Sequence, residues 1–412
     1  MATSFSVPSS LKTLSLMMLG VFASQYAYAE LITNQPAVQK YPSIPSADNI
    51  DPAKVAQCTQ LTDNIARLAC FDKVALGEII PTKKEPLDLS KTITASLQER
   101  KAVPILAESD ASIQQLTDDM LSERDKANIL QQVGVTANDV ASYSALSVLY
   151  DLDQNNPQGL LTIRPHLPMY VMPVWYNATP NYDIHSPTQD HVVQTGDQLQ
   201  NLDTKMQVSF KTKLAEDVFN TNADVWFGYT QQAYWQLYNR HSRPFRSSDY
   251  QPEIFITQPV TAKLPAHGNL RLLGAGVVHE SNGQGDPLSR SWNRAYLMAG
   301  AEWGKLTVIP RVWAIGKATD NKSDNPDIAD YMGYGDVRWL YDLSDNSTVG
   351  GVVRYNPFEN KGAVQVDYAY PLTGGMKAFI QLFHGYGENI QDYNHKSTNV
   401  GVGLMFNDFK GL

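Results

Sequence analysis

From about residue 160 onward the chain repeats one texture, segments of about ten residues in which apolar and polar side chains alternate, separated by Asn, Asp, Gly and Ser turns. "KMQVSFKTKL", "VWFGYTQQAYWQLY", "NLRLLGAGVVH", "GAVQVDYAYPL", "MKAFIQLFHGYG" and "TNVGVGLMFND" are the clearest. A period of two sends successive side chains to opposite faces of a strand and does not fit a helix. Many short strands of this kind fold as a sandwich or a barrel. In the last segment Val400, Val402, Leu404 and Phe406 share one face, and Gly401, Gly403, Met405 and Asn407 the other. Within residues 289–303 the odd face carries Asn293, Ala295, Leu297, Ala299, Ala301 and Trp303. The even face there carries Arg290, Trp292, Arg294, Tyr296 and Glu302. In a soluble sandwich the apolar face points into a core, whereas in a membrane barrel it points to lipid and the charged face lines the interior.

Periodicity does not separate these two, and the N-terminus bears on the choice. Lys12 precedes the apolar stretch "LSLMMLGVFA" (14–23), and "AYA" (27–29) offers the small residues of a signal-peptidase site, so cleavage is expected after Ala29. A retained anchor is the competing reading, but the stretch is short for a bilayer span. Export, together with aromatic residues near strand ends, favours an all-β, antiparallel transmembrane barrel. The mean hydropathy of −0.31 excludes a helical membrane protein. A net charge of −9 over 412 residues, with no Lys/Arg-rich run, argues against a nucleic-acid partner. The expected organisation is a signal peptide over 1–29, a leader and helical, periplasmic N-terminal region over 30–159, and the barrel over 160–412.

Cys58 and Cys70 are the only cysteines, an even pair in an exported chain, which favours a disulfide over two buried thiols. Twelve residues of unbroken helix would hold them roughly 18 Å apart. A disulfide needs Cα atoms within about 7 Å. "CTQLTDNIARLAC" is therefore expected to be a helical hairpin or a broken helix.

The chemistry concentrates in "GVVHESNGQGDPLSRSWNRAYL" (276–297). His279 and Ser281 continue the outward face of Leu273, Ala275 and Val277, while Glu280 faces in. A turn centred near Asp286 sets His279 opposite Asn293 on the next strand, and directly opposed side chains lie about 5 Å apart. A serine hydroxyl needs a neighbouring base to become a nucleophile. His279 can take its proton, and the Asn293 amide can fix the imidazole's tautomer and orientation. Asp286 and Ser289 add hard oxygens of the kind calcium prefers. A cation held there could polarise an ester carbonyl or hold a water against the oxyanion. Such a pattern also arises by chance at a barrel rim, so a non-catalytic barrel, a porin or lipid-binding scaffold, is the alternative. An esterase of the same fold acting on other lipids is a third reading.

"HESNGQGDPLSRSWNRAYL" resembles the signature of the outer membrane phospholipase A family. The resemblance covers roughly residues 160–409 and extends to "YTQQAYWQLYN" with "RPFRSSDYQPEIF" (229–255), "DNPDIADYMGYG" (324–335) and "GYGENIQDYNHKSTNVGVGLMFND" (385–408). It implies a barrel of twelve strands in the outer membrane of a Gram-negative bacterium. It also implies calcium-dependent hydrolysis of phospholipid acyl esters (phospholipase A1/A2, with lysophospholipase activity also in range) and action as a homodimer. By position it implies Ser281 as nucleophile, His279 as base, Asn293 as its orienter and the Gly283 backbone N–H in the oxyanion site. The implied calcium ligands are the Asp286 and Ser289 side chains, the Gln284 carbonyl and the Ser242 carbonyl of a partner subunit. Two departures stand out. The helical region before residue 160 lies largely outside the resemblance, and Phe409 is followed by three further residues where such barrels are expected to end on an aromatic.

One residue bears on the dimer without the resemblance. The outward row Ala223, Val225, Phe227, Tyr229, Gln231, Ala233, Trp235 and Leu237 carries one amide, Gln231. An amide facing hydrocarbon needs a partner. A subunit contact or a position at headgroup depth would each provide one.

Overall fold

The computed structural model describes residues 50–61, 64–76, 86–89, 128–135, 143–153, 159–241, 244–316, 323–343, 347–372 and 376–407. The expected signal peptide, the leader, much of the expected helical N-terminal region, Ser242 and Phe409 lie outside these residues.

Twelve antiparallel strands form the wall. They are β1 (Met169–Asn177), β2 (Leu202–Val218), β3 (Ala223–Trp235), β4 (Phe245–Leu264), β5 (Gly268–Ser281) and β6 (Ser291–Trp303). They continue as β7 (Leu306–Gly316), β8 (Gly335–Asp342), β9 (Thr348–Asn356), β10 (Lys361–Pro371), β11 (Lys377–Tyr386) and β12 (Lys396–Asn407). Each pairs with the next, and β12 returns to pair with β1, so the sheet closes on itself. Closure removes the unpaired edges that hydrocarbon does not tolerate. No described helix is long and apolar enough to cross a membrane.

The alternation read from the sequence is the alternation of the wall. Val400, Val402, Leu404 and Phe406 are exposed on its outside, while Gly401, Met405 and Asn407 are buried. On β6, Leu297 is 62% exposed between the buried Tyr296 and Met298. Exposed tyrosines mark both ends of the wall, Tyr176 and Tyr355 near one and Tyr341 and Tyr370 near the other. That placement suits the two interfaces of a bilayer. One end is turned by the short connections 219–222, 265–267, 304–305, 343–347 and 372–376. The other end carries the longer connections 178–201, 236–244, 282–290, 317–334 and 387–395.

Inside, polar and charged side chains meet one another. Arg311 grips Asp336 through both of its donor edges, with Nε 2.8 Å from Oδ1. Lys205 donates to Gln381 at 2.7 Å and sits 4.1 Å from the ring centroid of Trp175. Pairing is what makes such burial tolerable, and removing one member of a buried ion pair typically costs about 3–5 kcal/mol.

Residues upstream of 160 also make contacts with the wall. Helix α3 (Ala145–Tyr150) packs against the inner wall near the end with short turns, and belongs with the barrel. Its Leu146 N–H donates to Glu302 of β6 at 3.0 Å. Asp151, which ends the helix in the left-handed region, accepts from Arg164 at 3.2 Å and from Lys213 at 2.8 Å. Tyr150 lies under Lys211, 4.6 Å from its ring centroid. Upstream, α1 (Pro52–Cys58) and α2 (Asn64–Leu76) are separate helices, and the Cys58–Cys70 disulfide joins them with Cα atoms 5.6 Å apart. Leu61, Ala66, Ala69, Val133, Val135 and Tyr143 pack around it as a small core of their own.

Candidate active site on the outer wall

The register of β5 and β6 sets His279 against Asn293 and Ser281 against Ser291. All four side chains leave the same, outer face. His279 and Asn293 are exposed, whereas Glu280 between His279 and Ser281 is buried inside, where it accepts from Trp292 Nε1 at 2.9 Å and binds Arg294. The strand pair is thus pinned from within while its outer face stays open. His279 Nδ1 lies 2.8 Å from Asn293 Oδ1. A carboxamide oxygen only accepts, so Nδ1–H donates and the Nε2 lone pair is left to take a proton. Gly316 on β7 stands beside Asn293 in the same row and presents no side chain against it.

The loop 282–290 is held by Asn282. Its Oδ1 accepts from the N–H of Arg290 at 3.0 Å and of Gln284 at 3.3 Å, and its Nδ2 donates to the Leu288 carbonyl at 2.7 Å. Gly283 has a φ of +64°, a conformation that side chains strain, and a Cβ there would meet Tyr250 at 3.2 Å. Arg290, fully buried, donates to the carbonyls of Pro287 and Ser289. Gln284 also reaches Gln391, at 3.4 Å, on the loop 387–395. That loop is anchored by Asp392; burial opposes its charge, but Arg246 beside it holds the carboxyl below the usual range.

Asp286 and Ser289 do not stand alone. The Gln189 amide donates to Asp286 at 2.9 Å and to Asp324 at 3.2 Å, and the Ser289 hydroxyl donates to Asp324 at 2.6 Å. The set is therefore two carboxylates and a hydroxyl, all hard oxygens, gathered around one amide. It fits a calcium ion by donor chemistry. Asp324 and Gln189 were missed in the sequence. Asp324 opens the block "DNPDIADYMGYG", and an acid at the head of so specific a match was the available signal. The Gln284 carbonyl lies on the same loop, and Ser242 is outside the described residues.

Along the wall below His279 runs an apolar groove. The row under His279, Asn293 and Gly316 is Val277, Ala295 and Ala314, and the next is Ala275, Leu297 and Val312. Alanines between larger neighbours leave the trough, which Phe227 and Ile254 border on the β3–β4 side. Gln231 stands at the height of the serine, since Gln231 pairs with Tyr250 and Tyr250 with Ser281. Its carbonyl oxygen accepts from the Tyr229 hydroxyl at 3.0 Å within the same strand.

A closed barrel with an apolar outside and a paired, charged inside is the architecture of an outer-membrane protein. The profile of the Phospholipase A1 family matches residues 146–406. A putative phospholipase A1 of Neisseria meningitidis serogroup B is 50% identical over 368 residues, spanning 86% of this chain and 91% of that protein. Phospholipase A1 of Escherichia coli K12 is 35% identical over 240 residues, 57% of this chain and 81% of its own length. The solved outer membrane phospholipase A of Escherichia coli superposes with a TM-score of 0.56 at 30% identity, covering 64% of this chain and 98% of that one. A Salmonella typhi outer membrane phospholipase, solved as a dimer with bound calcium, gives 0.55 at 31% identity over the same shares. This chain belongs to the phospholipase A1 family, with the twelve-stranded barrel of outer membrane phospholipase A.

Proposed function

We propose that this protein hydrolyses phospholipid acyl esters at the outer wall of its barrel, in the outer membrane of a Gram-negative bacterium. The observation that carries this reading is the His279–Asn293 hydrogen bond on the lipid-facing side, with Ser281 two residues along on the same face. Ser281 Oγ attacks the ester carbonyl while His279 Nε2 takes its proton, and Asn293 holds the ring. The tetrahedral adduct collapses as His279 returns that proton to the leaving lysophospholipid oxygen, leaving an acyl-serine. Water, deprotonated by the same imidazole, then releases the fatty acid and restores the serine. The Gly283 N–H points its dipole at the developing oxyanion.

Calcium held by Asp286, Ser289, the Gln284 carbonyl and a partner subunit's Ser242 carbonyl, with Asp324 beside them, would offset negative charge on the ester oxygen. The Salmonella relative, with its dimer and calcium, supports this. The apolar groove receives the acyl chain. Short turns usually lie on the periplasmic side, which puts the site on the outer leaflet, at the end with the long loops. The site lies open on the barrel's exterior. We assign it both acyl positions, A1 and A2, and the lysophospholipid as well. The expected N-terminal processing after Ala29 and a periplasmic place for the residues upstream of α3 complete the proposal.

The test is fatty-acid release from defined phospholipids in detergent, with calcium and with excess chelator. Release that depends on calcium, followed by release from the lyso product, is the expected result. Release that is indifferent to chelator would remove calcium from the reading, and none under either condition would leave a non-catalytic barrel.

A further inference from the structure

The connection 178–201 folds as a hairpin of its own, Asp183–Ser186 against Gln189–Val193. Its inner face is buried: Ile184 is fully covered, and the Ser186 hydroxyl donates to the Asp324 carbonyl at 2.5 Å. Alternation then sends Asp183 and His185 outward together. An irregular register after Ile184 brings His191 of the opposite strand beside them. The two imidazoles stack at 4.4 Å between centroids with planes 17° apart. His191 Nδ1 is 2.8 Å from Asp183 Oδ1, and His185 Nδ1 is 3.8 Å from Asp183 Oδ2. The donor atoms of the three residues all lie within 4.8 Å of one another.

We infer that Asp183, His185 and His191 form a binding site for one divalent transition-metal ion of the zinc class. The ligand set is two imidazoles and a carboxylate, which suits zinc, copper or nickel and not calcium, whose shell is all oxygen. Three protein ligands leave one or more positions for water, as in open zinc sites. Without an ion, hydrogen bonds to Asp183 hold both rings, His191 Nδ1 on its carboxylate at 2.8 Å and His185 Nδ1 on its backbone carbonyl at 3.1 Å; an ion would turn the imidazoles out of their stack so that one nitrogen of each enters its shell. The ion would cross-link the two strands of the hairpin, and the second strand begins at Gln189, the residue that donates to Asp286 and Asp324. The inference stands on this hairpin alone and holds whether or not the hydrolytic reading does.

The experiment is titration of the untagged, detergent-solubilised full-length protein with Zn²⁺ against a chromogenic chelator, and with Co²⁺ while recording its visible d–d bands. The wild type should bind one equivalent with bands of low-coordinate cobalt. His185→Ala and His191→Ala should each weaken binding at least about tenfold, since even outer partners of metal ligands are worth that much. The double variant should lose the bands, with its strand content unchanged by circular dichroism. His279→Ala should still bind one equivalent. Undiminished binding in the double variant, loss of binding in His279→Ala, or no stoichiometric binding by the wild type would each overturn the assignment.

Discussion

Ser281→Ala is expected to insert and fold as the wild type does and to release fatty acid at least about 10⁴-fold more slowly, because removing the nucleophile of a Ser–His unit disables it as a whole. Its hydroxyl stands on the outer face at the end of β5 and takes no part in the strand ladder, so the barrel loses nothing that holds it together. His279→Ala should fall almost as far, and the double variant should be no worse than either single one. Such non-additivity is the mark of groups that act in one step. A sulfonyl fluoride should label the wild type at Ser281 and leave both single variants largely unlabelled. Full activity in Ser281→Ala, or labelling at another serine, would end the assignment and leave the barrel as a scaffold.

The second large effect joins metal to assembly. If a partner subunit's Ser242 completes the calcium site, calcium binds the dimer more tightly than the monomer. By linkage, calcium must then strengthen dimerisation by the same factor, typically about 5–150-fold for coupled sites. Asp286→Ala removes a carboxylate from the set and should depress metal binding, dimerisation and turnover together, with turnover falling at least about tenfold, since even an outer partner of a metal ligand is worth that much. Gln231→Ala leaves every proposed ligand in place. It should weaken dimerisation first, and its activity should recover as protein concentration rises. Sedimentation in detergent with and without calcium separates these outcomes. A monomer at full activity, or equal calcium affinity in monomer and dimer, would falsify the shared site without touching the triad.

The barrel and the pairing across β5 and β6 were legible because both follow from counting. A strict period of two fixes which side chains face lipid, and a turn centred near Asp286 fixes His279 opposite Asn293. Helix α3 was not legible as part of the barrel. Its six residues read as the tail of a helical region, and only the partners that meet it from distant strands, Glu302, Lys211 and Lys213, place it inside. The same holds for Asp324 and Gln189, which lie on two long connections whose meeting no local pattern encodes. Gln231 was read as an amide in need of a partner, and the structure finds half of the answer in its own strand, at the Tyr229 hydroxyl.

His279 and Ser281 point away from the barrel's charged interior and into the space that lipid fills. On the proposed reading a substrate there would be met by lateral diffusion and would arrive already aligned, with its ester at the depth of the rim and its chains parallel to the groove. The concentration that governs turnover is then areal, molecules per unit of membrane, and bulk lipid matters only through the surface it makes. In mixed micelles the rate should follow the mole fraction of phospholipid at constant total lipid. Where phospholipid is scarce in the outer leaflet, that low surface density would itself hold the enzyme nearly idle.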